Sequence, residues 1–246
     1  MEIKYKCGDY DGEVESVYNQ IPYGYGTLRY TNGNVYAGYW DKGVRSGYGT
    51  MRYANGARYV GQWKNGQPHG YGTEYYKDGT YYQGDFENGL REGYGVFFYA
   101  DGDKFEGWFS QGKRNGRGTY YSRSGSRFEG EYKDGLKNGY GQEWWADGDH
   151  YEGNYQDGKK NGYGIYYYPN GDKYVGDWRN DLKDGRGIIY CSDGYRFEGG
   201  FCEGEMHGLV TGYAPSGFRI EYWFNMGYIE SQTAYDNNNN RVELGR

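Results

Sequence analysis

A pair of glycines one residue apart returns every 23 residues. It stands at Gly24/Gly26, Gly47/Gly49, Gly70/Gly72, Gly93/Gly95, Gly116/Gly118, Gly139/Gly141, Gly162/Gly164 and Gly185/Gly187, with nothing inserted between steps. The next step reaches Gly208, where Val210 replaces the second glycine. A fixed short period restricts a chain to few architectures. The unit is a supersecondary element that cannot bury its apolar face alone and must stack on copies of itself.

A second signature keeps the same step. It reads aromatic-x-Gly-x-aromatic, from Tyr36-Gly38-Trp40 and Tyr59-Gly61-Trp63 through Phe105-Gly107-Phe109 to Phe197-Gly199-Phe201. Turn pairs Asn32-Gly33, Asn55-Gly56, Asp78-Gly79, Asp101-Gly102, Asp147-Gly148, Asn170-Gly171 and Asp193-Gly194 hold phase with it. Asn-Gly and Asp-Gly between aromatic runs signal hairpins. Each unit therefore reads as two short antiparallel strands, with a tight turn at these pairs and a longer loop over Asp41 to Ser46 and its equivalents. Side chains alternate across a strand. Tyr36, Gly38 and Trp40 then share one face, and ring faces are expected over the glycines. The opposite face carries Glu106, Glu129, Glu152 and Glu198 in later units and reads as wet. Two strands per unit at about 4.8 Å give roughly 9–10 Å per repeat.

Composition agrees. Of 246 residues, 47 are Gly, 35 Tyr, 10 Phe and 7 Trp. With few branched aliphatics, rings must supply the buried surface, at roughly 150–250 Å² each. Aromatics favour strands and are scarce in disordered segments. The net charge of -6 disfavours broad nucleic-acid binding, and no nucleic-acid partner is expected. Cys7, Cys191 and Cys202 have no metal-like spacing, and an odd, sparse count suits a reducing compartment. There is no apolar leader and no run approaching a membrane span. A soluble cytoplasmic protein is expected.

The unit Tyr151 to Lys173 (YEGNYQDGKKNGYGIYYYPNGDK), with Phe105 to Arg127 and Phe128 to His150, resembles the MORN repeat. The resemblance covers about residues 10–230, with eight strong units and a degenerate one at each end. It implies an all-β fold: stacked β-hairpins in an elongated, single antiparallel sheet, curved or twisted. The expected organisation is a degenerate N-terminal repeat or cap over 1–23, the array over 24–207, a degenerate C-terminal repeat or cap over 208–235, and a polar tail over 236–246. Function is implied only loosely, since a fold does not fix it. Such repeats occur in cytoskeletal and ciliary scaffolds, in membrane-junction proteins, and attached to lipid kinases and methyltransferases.

No catalytic cluster emerges. His69 and His207 occupy one repeat phase, and His150 stands alone at a turn-to-strand junction. The Gly-x-Gly pairs lead into strands, not the helix that a phosphate loop requires. The phased glutamates have no cleft in which to converge. Neither cofactor nor metal is expected, and the chain reads as a non-enzyme.

Two surfaces are candidates. The aromatic stripe, with Trp40, Trp63, Phe86, Phe109, Tyr132, Tyr155, Trp178 and Phe201, has no second layer over it and is expected to hold a helical or extended segment of a partner protein. The longer loops carry Arg45, Arg91, Lys113, Arg114, Arg117, Lys137, Lys160 and Lys183, a basic edge suited to anionic lipid or an acidic partner. The leading expectation is a scaffold within a larger assembly, in the axoneme, basal body or another cytoskeletal structure. A peripheral membrane tether and a targeting subunit of an enzyme complex are the alternatives. Terminal strands also offer a route to homodimers.

Overall fold

The computed structural model describes residues 2–243. Among them every regular element is a strand and none is a helix. The chain divides into two compact units, Met1–Arg123 and Ser124–Arg246. In each, a strand pairs antiparallel with the strands before and after it in sequence, and the sheet stays open. Every repeat supplies a short strand of 7 residues and a long one of 9, such as Val35–Asp41 and Val44–Arg52. The fold class is all-β, made of stacked hairpins as the period predicts.

The two turns exchange their expected lengths. Asp41 pairs with Val44, so Lys42-Gly43 is a two-residue turn, with φ of 47° and 80°. Both values lie in the left-handed region that this tightest hairpin turn requires. Asn65-Gly66, Asn88-Gly89, Asp134-Gly135 and Asp157-Gly158 repeat it. The Asn32-Gly33 loop is longer: Tyr30 N–H donates to Asn34 O at 2.8 Å, and Gly33 N–H donates to Tyr30 O at 3.0 Å. The region expected as a long loop is thus mostly strand.

The two glycines of each pair have different tasks. Gly47 has φ of 64° and lies in a bulge, where the register shifts between Gly38 and Trp40. Gly49 is in a glycine row that crosses the sheet. Gly26 pairs with Gly38, Gly38 with Gly49, Gly49 with Gly61, and Gly61 with Gly72. A Cβ on Gly49 would stand 2.3 Å from Tyr36 Oη and 2.6 Å from its Cζ. The ring lies against bare backbone, so the expected ring-over-glycine packing is present. The ring comes from the same hairpin, not from a neighbouring one.

At the N-terminal end, Glu2–Tyr5 and Gly8–Val14 form a hairpin that continues the register, with Gly12 opposite Gly26. Tyr10 is fully buried there. At the other end the glycine row stops at Gly199, which pairs with Val210, and Val210 pairs with Tyr222. Val210 fills the space and is 0% exposed. The polar-tail expectation needs correction. Asp236 Oδ1 accepts from Asn238 N at 2.9 Å and Asn240 N at 2.8 Å, closing a turn. Arg241–Val242 then pairs with Tyr235 and Ala234. Asn side chains tolerate and cap such turns, which is why this polar run is structured. Residues 244–246 of the expected tail lie outside the described residues.

Candidate partner-binding surface

The stripe expected to meet a partner is the core. Trp40, Trp63, Phe86, Phe109, Tyr132, Tyr155, Trp178 and Phe201 are each 4–6% exposed. Edge-to-face contacts link them through the rings that cover the glycines. Tyr36 meets Trp40 at 5.0 Å and Trp63 at 5.1 Å. Tyr59 meets Trp63 at 5.2 Å and Phe86 at 5.0 Å. In the second unit, Tyr151 meets Tyr155 at 5.3 Å and Trp178 at 5.4 Å. The polar atoms are also satisfied: Trp63 Nε1 donates to Gly49 O at 3.2 Å, and Tyr59 Oη donates to Gln62 O at 2.9 Å. Burial pushes the phenols of Tyr36, Tyr59, Tyr82, Tyr151 and Tyr174 well above the ordinary tyrosine range, so they remain donors. The expectation of an open aromatic groove is corrected, because rings such as Trp63 and Phe86 are covered by a ring of their own hairpin and by one of the preceding hairpin.

The basic edge also turns inward. Arg45 pairs with Trp40 across the turn and lies 4.6 Å from the Trp63 ring. Arg91 lies 5.1 Å from Phe97, Arg114 5.3 Å from Phe105, Lys137 4.5 Å from Phe128, Lys160 4.7 Å from Tyr166 and Lys183 5.2 Å from Tyr174. All six are half-buried. Cations over ring faces gain from the ring quadrupole, and their stems shield the rings from water. Burial lowers the Lys160 ammonium pKa, against the pull of Asp181 and Glu143. Lys113 and Arg117 are exposed. A lipid-binding edge loses six of its eight expected cations to the protein's own rings.

The opposite face carries a row that alternation within the short strand alone does not reveal. Tyr25, Tyr48, Tyr71, Tyr94, Tyr140 and Tyr163 are the middle residues of Gly-Tyr-Gly, and each is 49–57% exposed. Their partners complete the row: Tyr25 opposes Tyr39, Tyr48 opposes Gln62, Tyr71 opposes Asp85 and Tyr94 opposes Trp108. Tyr39 and Trp108 are each 51% exposed. Sequence signal for this row existed, since the middle residue of the glycine pair is tyrosine in six repeats.

Further from the turns, the same face carries a ladder of cations on rings. Arg58 lies 4.1 Å from Tyr75, Arg127 4.1 Å from Trp144, Arg196 4.3 Å from Tyr213 and Arg219 4.2 Å from Tyr235. The phased glutamates serve this ladder. Glu106 meets Lys104 at 2.8 Å, Glu129 meets Arg127 at 3.6 Å, and Glu198 meets Arg196 at 3.8 Å. Glu152 accepts from Tyr167 Oη at 2.8 Å. His150 takes the cation's place in one repeat, stacked 4.9 Å from Trp144 and 5.2 Å from Tyr167.

Among the described residues, no group of three or more His, Cys, Asp or Glu is placed to hold a metal ion. No helix among them is long and apolar enough to cross a membrane.

No curated protein sequence matches the chain. Among solved structures, it is similar to the TCP10 domain of Danio rerio CPAP in complex with a peptide of Danio rerio STIL, at 12% identity over 91% of this chain and 94% of that one, with a TM-score of 0.39. It is also similar to the SAS-4 (dCPAP) TCP domain of Drosophila melanogaster in complex with a proline rich motif of Ana2, at 14% identity over 70% and 81% of the two chains, with a TM-score of 0.30. Likenesses this weak bear on neither fold nor function. The repeat itself is decisive: the MORN repeat matches residues 24–35, 36–58, 59–81, 82–104, 105–127, 128–150, 151–173 and 174–194, and the chain belongs to the MORN-repeat family.

Proposed function

We propose that the chain is a non-catalytic scaffold that holds a segment of a partner protein along the outward aromatic row of its sheet. The row itself carries this reading: Tyr25, Tyr39, Tyr48, Tyr71, Tyr94 and Trp108 are all about half-exposed on one face of the first unit. Contiguous exposed apolar surface marks interaction sites. Tyr and Trp suit such contacts because they offer large area at low entropic cost. The eight buried rings then act indirectly, by fixing the sheet that displays the row. We place the scaffold in a cytoskeletal assembly, the ciliary axoneme or basal body first, because repeats of this family occur in such scaffolds.

Cross-linking mass spectrometry in native extract tests the reading. Lys64, on the strand that carries Gln62, and Lys113, on the strand after Trp108, lie exposed. Links from them to one partner segment are expected, and should vanish in a Tyr71→Ala, Tyr94→Ala, Trp108→Ala variant that melts like the wild type. Links that persist in the variant would sink the reading. Absence of the tagged chain from the cytoskeletal fraction would remove the proposed setting alone.

A further inference from the structure

Four tyrosines of the row, Tyr25, Tyr48, Tyr71 and Tyr94, come from alternate strands of the first unit. Adjacent strands lie about 4.8 Å apart, so equivalent positions recur at about 9.6 Å. A polyproline II helix has three residues per turn and a rise of about 3.1 Å, so its face repeats at about 9.3 Å. An α-helix crossing the same strands repeats a face after seven residues, just under two turns, at about 10.5 Å. A β-strand presents one face every 6.6–6.8 Å or so. Over the three steps from Tyr25 to Tyr94, the polyproline helix drifts out of phase by roughly 1 Å and the α-helix by roughly 3 Å. The extended β form matches only poorly.

Composition of the row points the same way. The slots between tyrosines are floored by Gln62, between Tyr48 and Tyr71, and by Asp85, between Tyr71 and Tyr94. The flanking positions on the same face are uncharged at Thr50, Val60, Thr73, Gln83 and Val96, with Lys64 and Glu87 on the side of the two-residue turns and Glu106 opposite Val96. Asp85 is the one formal charge among Tyr25, Tyr39, Tyr48, Gln62, Tyr71, Asp85, Tyr94 and Trp108, and it is exposed. A cation opposite Asp85 would also lie between two tyrosine rings, where cation–π attraction adds to the ion pair.

The geometry points to an occupant of stated chemistry: a proline-rich segment in the polyproline II conformation, crossing the strands with a proline in the slot over Gln62, between Tyr48 and Tyr71, and one arginine or lysine in the next slot, at Asp85. This rests on the scaffold reading and names the partner class for its row. Prolines hold such a segment in its bound conformation before it docks, which lowers the ordering cost. Ring pairs guard both ends: Tyr25 meets Tyr39 at 5.5 Å, and Tyr94 meets Trp108 at 5.9 Å, both edge-to-face.

The full chain can be titrated against a fluorescent peptide set of about twelve residues each. One series has proline at every third position and a central arginine. A second has aspartate in place of the arginine, and a third is alanine-rich and helical with the same arginine. The first series should bind saturably and best. Tyr48→Ala and Tyr71→Ala should each weaken it about tenfold, roughly 1.4 kcal/mol, with unchanged melting temperature. Asp85→Arg should reverse the preference between the first two series. No binding by any proline-rich member, or binding that Tyr71→Ala leaves intact, would overturn the inference. Row-dependent binding of the helical series alone would overturn it too, while leaving the scaffold reading in place.

Discussion

The same strands present two faces that use aromatic residues in opposite ways. On one, Tyr36, Tyr59 and Trp63 are all under 7% exposed, with Tyr36 and Tyr59 held against glycine and Arg45 over the rings of Tyr36 and Trp63. On the other, Tyr48 and Tyr71 are 57% and 54% exposed and lie beside Gln62 and Asp85. The residue type is the same, and the difference lies in what the neighbouring position carries. Gly49, diagonal to Tyr36 on the next strand, leaves bare backbone on which that ring lies flat and is buried within a single layer, whereas Tyr48 has the Gln62 side chain opposite it and is left standing in water. A single sheet can thus hold its own core on one side and keep a recognition surface on the other.

Truncation tests this contrast most severely. Trp63→Ala should cost about 3–5 kcal/mol, as for large aromatic side chains lost from a core, with local melting of the hairpins that contact it. Tyr48→Ala, one strand away on the outer face, should stay within about 0.5 kcal/mol. Urea denaturation followed by tryptophan fluorescence measures both. Comparable losses for the two would mean the faces do not divide labour in this way.

A methyl group sharpens the comparison further. Gly49→Ala puts a Cβ within 2.3 Å of Tyr36 Oη, which donates to Tyr39 O at 3.0 Å in the native protein. Overpacking of this kind costs about 1–3 kcal/mol. Adding Tyr36→Phe to remove the hydroxyl should recover part of that loss. A double-mutant cycle with no coupling would show that ring and glycine are not in contact.

The smallest effect concerns His150. Burial lowers its pKa below the ordinary histidine value, against an opposing pull from Glu152. The unfolded chain then takes up the proton more readily than the folded one. The contribution is fully present above about pH 6.5 and is lost as pH falls through that value towards the folded pKa. A melting temperature slightly lower at pH 5 than at pH 7.5 is expected. His150→Arg, which restores the cation of neighbouring repeats, should shrink the difference. The carboxylates of Asp103, Glu106 and Asp172, all held below their usual range by hydrogen bonds, act in a more acidic window. An unaltered pH difference in the variant would rule His150 out as its source.

Much of the fold was legible because the glycine period and the sheet register are the same thing: Gly38 opposes Gly49 and Gly61 because the step never varies. Less of the site was. Reading Asp41 to Ser46 as a loop removed Arg45 from the alternation of its strand. Once the strand begins at Val44, Arg45 opposes Trp40 and must face the rings. The pairs at Asn65-Gly66 and Asn88-Gly89 carried the correct turn length. The buried stripe was mistaken for a groove because coverage by a neighbouring hairpin is a tertiary property. Only register and ring geometry together show that Tyr36 reaches Trp63. Tyr48 and its equivalents are masked in the sequence as the middle residue of a glycine pair, although their flanking glycines are what lift them to the outer face.

The bulge at Gly47 has an evolutionary consequence. It lets the chain set Tyr48 outward between two glycines whose own positions are fixed by backbone shape and by Tyr36. The middle residue answers to neither constraint, and across the repeats it is already Tyr, Arg or Leu: Tyr48, Tyr71, Arg117, Arg186, Leu209. Duplication of a repeat therefore copies a stable frame together with one freely mutable letter. Such an array can rewrite what it displays, one repeat at a time, without crossing an unfolded intermediate.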